Sequence, residues 1–398
     1  MRHGFFAHTK DGTITIRVVC AILFLLFSFC WLYWFQADVL AVAQHGLSGG
    51  KTHYSRLFGA LIITGVLMLL QLIVYAIVRL ARRTHAMTYL PSFLLLAFLS
   101  SLSHPFRWGA WLWAGPLVLV LWIGVVILSR KMLPFNHDEK LNTGLLSRRS
   151  WVNVVQMAVM MLMVAAVANT NAVDHFKAHA EVALMEGDAD EALRVGSRSL
   201  ESDASLTMLR MAALSQRGQL GERLFEYPVT GSSRDMLPLP GSRSQLLLMP
   251  DTLLWNLFGV HPDSIVARAE AQGHAAGIFG GHLSVSQYLD SLAADTLATP
   301  AYRDYQLAGL LIDRQLDAFA ACLPSYYAID TASLPRHYRE ALVLYQQRCD
   351  TSYIYKDSTM LLRWHDYLRY HSAYSRKSER IIRSEEDFRD TYWYYYYQ

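Results

Sequence analysis

The sequence predicts an all-α protein in two parts: a transmembrane helical domain of five spans over residues 1–171, and a water-soluble array of helical hairpins over 172–398. Three observations carry this expectation. Apolar residues make up 53% of the chain and charged residues only 17%, with a mean hydropathy of +0.18, a balance that suits an integral membrane protein with an appended soluble part. Charge is divided unevenly, because residues 1–171 hold 14 Lys and Arg against 4 Asp and Glu, a net +10, whereas 172–398 hold 22 against 29, a net −7. The last long apolar run is 151–168, and beyond it the pattern turns amphipathic with a helical period and no useful strand alternation.

A bilayer core takes about 20 mostly apolar helical residues, with about 17 as the lower limit. Five stretches qualify. Residues 18–35 contain no charge and end in Trp31, Tyr33 and Trp34, rings suited to a headgroup interface. Residues 58–78 are interrupted in polarity by Thr64 and Gln71. Residues 87–103 form the weakest stretch, lowered by Pro91 and three serines. Residues 108–128 begin with Trp108, Trp111 and Trp113, and 152–168 complete the set. Lys and Arg collect on the cytoplasmic side of a membrane. Arg2, Lys10 and Arg17 precede the first stretch, Arg79, Arg82 and Arg83 follow the second, and Arg130, Lys131, Lys140, Arg148 and Arg149 follow the fourth; the intervening loops hold only Lys51, Arg56 and Arg107. The chain is therefore expected to start in the cytoplasm of a bacterial inner membrane and to place residues 172–398 in the periplasm. A basic start followed by an apolar run and Ala41-Val42-Ala43 loosely matches a cleavable signal, but a run of 18 residues rich in aromatics is long for that role.

In the soluble half, 176–187 and 189–200 read as a helix pair joined at Gly187 and Asp188, with Gly187 ending one helix and Asp188 capping the next. Ala192, Gly196 and Ser199 would put small residues on one face of the second helix. A third helix over 204–217 stops at Gly218. The string Gly187-Asp188-Ala189-Asp190-Glu191-Ala192-Leu193 looks like the middle of a tetratricopeptide repeat. Gly218-Gln219-Leu220-Gly221-Glu222-Arg223-Leu224 has a similar shape, and Asp313-Arg314-Gln315-Leu316-Asp317-Ala318-Phe319 is a fainter echo without glycine. Residues 228–250, rich in Pro, Gly and Ser, predict a long loop. Helices resume to the end, the clearest being 336–349, where Tyr338, Ala341, Leu342 and Tyr345 fall at the spacing of one buried face. The chain finishes in Thr391-Tyr392-Trp393-Tyr394-Tyr395-Tyr396-Tyr397-Gln398. Its rings either cap the array, or Tyr392, Trp393, Tyr394 and Tyr395 form a docking surface for a partner or the headgroup layer.

Three strings in order, Gly218 to Phe225, Leu334 to Leu342 and Asp390 to Tyr395, resemble an uncharacterised family of multi-span membrane proteins from Bacteroides-type bacteria. The resemblance implies an apolar N-terminal half paired with a tetratricopeptide-like C-terminal half, and it carries no catalytic residues across.

Chemistry is sparse. His45, His53 and His104 match no metal-ligand spacing, and His274 and His282 sit in a glycine-rich stretch better read as a loop. No hydrolase elbow, zinc-protease motif, phosphate loop or dinucleotide fingerprint occurs, so neither a metal nor a cofactor is expected. The basic excess lies beside apolar runs, which argues against a nucleic-acid partner. Cys20 and Cys30 read as small apolar residues; Cys322 and Cys349 could pair in an oxidising compartment. The expectation is a membrane-anchored, non-enzymatic scaffold that meets the bilayer through its spans and a protein partner through its helical domain. The alternative is a glycosyltransferase-like enzyme acting on lipid-linked substrate, with Asp38, the one acidic side chain in the outer loops, as cation ligand or general base.

Overall fold

A computed structural model describes residues 4–78, 82–101, 108–131, 148–248, 250–269, 283–329, 333–348, 355–373 and 387–398, together with 379, 382 and 385. The described residues form helices and no strand, and the chain divides into two compact units, Met1–Asp174 and His175–Gln398.

In the first unit, α1 (Gly4–Cys30) widens into a π-type turn at Trp31–Phe35, followed by α2 (Ala37–Ser48) and α3 (Arg56–Val78). A tight 3-10 segment, Arg82–Tyr89, leads into α4 (Leu90–Ser100); α5 (Trp108–Lys131) and α6 (Arg148–Val167) complete it. Among the described residues three helices, over Ile14–Phe35, Arg56–Val78 and Ser150–Val167, are long and apolar enough to cross a membrane, which corrects the expected five. The stretch expected as the third span is the shorter apolar helix Thr84–Ser100, and the one expected as the fourth lies in α5, with Trp113–Leu128 as its shorter apolar part. The third falls short because its first part is 3-10 with a kink at Thr84, and α4 starts only where Pro91 can occupy a helix N-terminus. Its 11 α-helical residues rise about 16 Å, roughly half a bilayer core.

The polarity of this unit is inverted relative to a water-soluble bundle. Ile77 and Leu162 are 70% and 68% exposed, whereas Gln71, Thr88, Ser92, Ser100 and Asn153 are buried. In hydrocarbon the outer face is satisfied by lipid and every polar group must find its partner inside. The irregular segment shows how. Asn153 on α6 accepts the backbone N–H of Ala86 at 2.8 Å, and the Trp122 indole of α5 donates to the Met87 carbonyl at 2.8 Å. Gln71 donates to Thr88 at 3.1 Å, Ser92 donates to the Leu67 carbonyl at 2.8 Å, and Trp31 donates to Ser100 at 2.8 Å.

The second unit opens with α7 (Ala172–Met185), which starts at the boundary, and continues through α8 (Ala189–Arg194), α9 (Ala204–Gln216) and α10 (Leu220–Arg223). After the loop come α11 (Pro250–Phe258), α12 (Pro262–Ala269), α13 (Val285–Ala293), α14 (Ala301–Ile312), α15 (Leu316–Cys322), α16 (Arg336–Arg348), α17 (Ser358–Ala373) and the C-terminal helix Tyr392–Tyr397. One continuous core runs from Ala180 to Trp393. The second expected helix is shorter than its pattern: α8 ends at Arg194 because Gly196 turns left-handed, φ 60°, and the Phe176 ring lies where its Cβ would stand.

Three hairpins, α7 to α8, α9 to α10 and α14 to α15, share one turn. Gly187, Gly218 and Arg314 take left-handed φ values of 81°, 65° and 58°. Their N–H groups donate to Leu184, Ser215 and Leu311, and the following N–H groups of Asp188, Gln219 and Gln315 reach back to Ala183, Leu214 and Leu310, each of the latter at 2.8 Å. This paired pattern is the Schellman stop, which satisfies carbonyls left over at a helix end. Asp188 also caps α8, accepting the Glu191 N–H at 2.9 Å. The echo without glycine therefore uses the same turn, and Arg314 is held there by a bond of 3.1 Å to the Tyr395 carbonyl and by its guanidinium over the Tyr395 ring.

Strain and clamp can be separated by substitution. Arg314→Ala keeps the left-handed strain and loses the clamp, so it should lower unfolding free energy by about 1–2 kcal/mol, whereas Arg314→Gly should recover about 1 kcal/mol of that loss. Denaturant titration of the full chain would reject the assignment if the alanine variant proved the more stable of the two.

Candidate functional site

The densest polar cluster of the second unit is built on α16. That helix buries Tyr338, Ala341 and Leu342 as its spacing predicts, yet it also buries His337 and Glu340 completely. His337 Nε2 accepts the Phe225 N–H at 3.2 Å, which leaves Nδ1 to carry the proton and donate to Glu340 Oε2 at 2.9 Å. Glu340 Oε2 also accepts the Tyr392 N–H at 2.7 Å, Oε1 accepts Arg336 Nε at 3.0 Å, and the Glu340 carbonyl accepts the Trp393 indole at 2.8 Å. Arg336 and Arg363 then meet Asp390 at 2.7 and 3.2 Å. Burial opposes the charge on Asp390, but the Arg336 bond and the two guanidinium charges hold its carboxyl below the ordinary range.

A histidine beside a glutamate has the composition of an acid–base pair. Here both ring nitrogens and both carboxylate oxygens are committed to the protein, and neither side chain meets solvent. General acid–base chemistry needs a group within reach of a substrate proton. The cluster is instead a clamp that ties α16, the segment after α10 and the C-terminal helix together.

The terminal rings belong to the same clamp. Tyr392 and Trp393 are fully buried and Tyr394 nearly so; Tyr395 is half-buried, its ring tilted against Phe225 with centroids 4.8 Å apart. Tyr392 and Tyr395 donate to the carbonyls of Leu311 and Ile312 at the end of α14, at 3.3 and 2.8 Å. Of the residues expected as a docking surface, Tyr392, Trp393 and Tyr394 are buried and Tyr395 is half-buried, and the Trp393 indole is bound to α16; at this end of the chain Tyr397 is exposed.

The loop expected at 228–250 is pinned by carboxylates. Asp235 accepts the N–H groups of Ser232 and Arg243 at 3.0 Å, and Asp313 accepts Ser233 N–H at 2.9 Å. Buried Glu181 of α7 accepts the N–H groups of Leu247 and Leu248 at 3.0 and 2.5 Å. Burial pushes the Glu181 carboxyl up to about 7, against the pull of those two donors and of Lys177 toward the charged form.

Asp38 lies in the first turn of α2 and pairs with Arg56 at the start of α3 at 2.9 Å. His45 sits in the last turn of α2, His53 follows in the same connection, and His104, His274 and His282 lie outside the described residues. Among the described residues no group of three or more His, Cys, Asp or Glu could hold a metal ion. Cys322 ends α15 as a free thiol, and Cys349 lies outside the described residues. The local pattern gives no notice of Glu181, whereas Phe225, Arg336, His337, Glu340, Asp390, Tyr392 and Trp393 all fall within the three strings Gly218 to Phe225, Leu334 to Leu342 and Asp390 to Tyr395.

The class these features define is a helical hairpin array closed by its own C-terminus and joined to an apolar helical unit. Residues 268–398 match DUF6057, a family of unknown function, and the match contains α16, Asp390 and the terminal rings but not Phe225. No curated protein and no solved structure matches the chain.

Removing the central carboxylate would strand Arg336, His337 and the Tyr392 N–H in a dry interior. Glu340→Ala should therefore cost about 3–5 kcal/mol, read as a lowered denaturation midpoint, with Glu340→Gln less harmful. The Glu181 carboxyl has the opposite pH sign from a salt-bridged acid. Its folded value lies above the ordinary 4.5, so its contribution is most favourable below that pH and is lost as pH rises toward about 7. The stability difference between wild type and Glu181→Gln should shift by on the order of 3 kcal/mol across that window, measured by denaturant titration at pH 4.5 and pH 7.5; a difference independent of pH would refute it.

Proposed function

We propose that this protein is a non-enzymatic scaffold anchored in a bacterial inner membrane, holding a tetratricopeptide-like array outside the cytoplasm to bind a protein partner. The single observation that carries the reading is the consumption of the buried His337–Glu340 pair: the part of the molecule best furnished for chemistry is spent on closing the array. The thrice-repeated hairpin turn supports the tetratricopeptide likeness, and stacked hairpins offer extended surfaces to partners. The cation pattern supports an odd number of crossings, which three or five spans both satisfy. Asp38 is neutralised by Arg56, so no observation favours the transferase alternative.

Trp255 and Leu297 are 55% and 80% exposed, and Thr299 brings their segments together by bonding the Leu257 and Phe258 carbonyls. An aromatic and an aliphatic side chain so presented form a natural contact. A photo-crosslinking residue at Trp255 or Leu297 in living cells should trap one discrete protein, while Asp38→Ala at normal expression should leave the cellular phenotype unchanged. A reporter enzyme fused after Gln398 should work only outside the cytosol. Cytosolic reporter activity would overturn the topology, and loss of phenotype with Asp38→Ala would overturn the scaffold reading.

A further inference from the structure

The first unit carries more polar chemistry than an anchor requires. Arg17 meets Tyr75 at one end of the α1 and α3 pair, and Asp38 meets Arg56 at the other, so the two helices run antiparallel. Ser28 stands eleven residues beyond Arg17 and Thr64 eleven before Tyr75, which puts both at one level, about 16 Å along each helix. Ser28 and Thr64 are buried, and neither hydroxyl has a protein hydrogen-bond partner. A serine in such a helix can turn back onto its own backbone, as Ser100 does onto Leu96 at 2.8 Å; these two do not.

A second level lies two turns away on the same face of α3. Gln71 donates to Thr88, while its Oε1 has no partner. Gln156 sits one turn beyond Asn153, which holds Ala86 two residues before Thr88, and its Oε1 also has no partner. The orphaned atoms are two amide oxygens, which accept, and two hydroxyls, which both donate and accept, all enclosed where lipid supplies no partner. Residues 12–37, 39–101 and 150–167 contain no Asp or Glu, and Arg17 adds a positive charge, so a cation would find no counter-charge on these faces. Water supplies donors without charge, and polar sites with several partners are where buried water is held.

We propose that the membrane bundle holds two bound-water sites, one against Ser28 and Thr64 and one against Gln71 and Gln156. The sites make the bundle interior a hydrated polar core, and this stands apart from the scaffold reading of the second unit. Buried sulfur side chains report on it: Cys20 lies opposite Gln71, Met157 is adjacent to Gln156, and Met160 follows one turn along α6 toward the Ser28 level, all three buried.

Radiolysis of the full-length protein in lipid nanodiscs generates hydroxyl radicals from bound as well as bulk water. Cys20, Met157 and Met160 should be oxidised in the wild type despite their burial. Gln71→Leu should lose the labelling of Cys20 and Met157, and Thr64→Val should lose that of Met160, while Thr64→Ser, which keeps the hydroxyl, should retain it. Absence of oxidation at all three positions in the wild type, or equal oxidation in wild type, Gln71→Leu and Thr64→Val, would overturn the proposal.

Discussion

The first unit depends on one constraint: a polar group facing hydrocarbon has no solvent partner, so it must be satisfied from within. That rule explains why Asn153 points at the backbone of Ala86 and Trp122 at Met87. A broken helix at this place would otherwise expose free N–H and C=O groups. The side chains of α5 and α6 take the place of the missing helical bonds, so the break between α3 and α4 is an accommodated feature of the bundle. The same rule puts Ile77 and Leu162 outside and Gln71 and Ser92 inside, the reverse of what water would select.

In the second unit the way the chain is held changes. Apolar stripes build one core, but the segments that are not long helices are fixed by carboxylates accepting backbone N–H groups: Glu181 on the loop, Asp235 within it, Asp313 from α14's end, and Glu340 on the C-terminal helix. A carboxylate offers several acceptor positions and can gather donors from distant parts of the chain. Replacing such a centre by a smaller apolar residue removes one side of every bond at once, whereas a cluster of apolar contacts loses its members singly.

This division bears on function. The His337–Glu340 pair on α16 is fully enclosed and committed to the protein, while Trp255 and Leu297 are exposed. The DUF6057 match, residues 268–398, covers α16 and the C-terminal helix.

Much of the helical plan was written locally. Gly187 and Gly218 announce their turns because only a residue without a Cβ adopts a left-handed backbone without cost, and the long apolar helices over Ile14–Phe35, Arg56–Val78 and Ser150–Val167 follow from predominantly apolar composition. Arg314 gave no such notice, since its turn is held by Tyr395, 81 residues away. The terminal rings could equally have been cap or docking surface by composition, and carbonyls at Leu311 and Ile312 decided for burial. Nothing within a turn or two marks His337 and Glu340 as buried, because their partners, Phe225 and Tyr392, lie 112 and 52 residues away. The sequence alone thus determined helix positions, the apolar N-terminal half and the charge asymmetry, all of which depend on neighbours within a turn or two. Only the tertiary structure decided which polar and aromatic side chains are enclosed, because that depends on donors and acceptors that the folded chain brings together from afar.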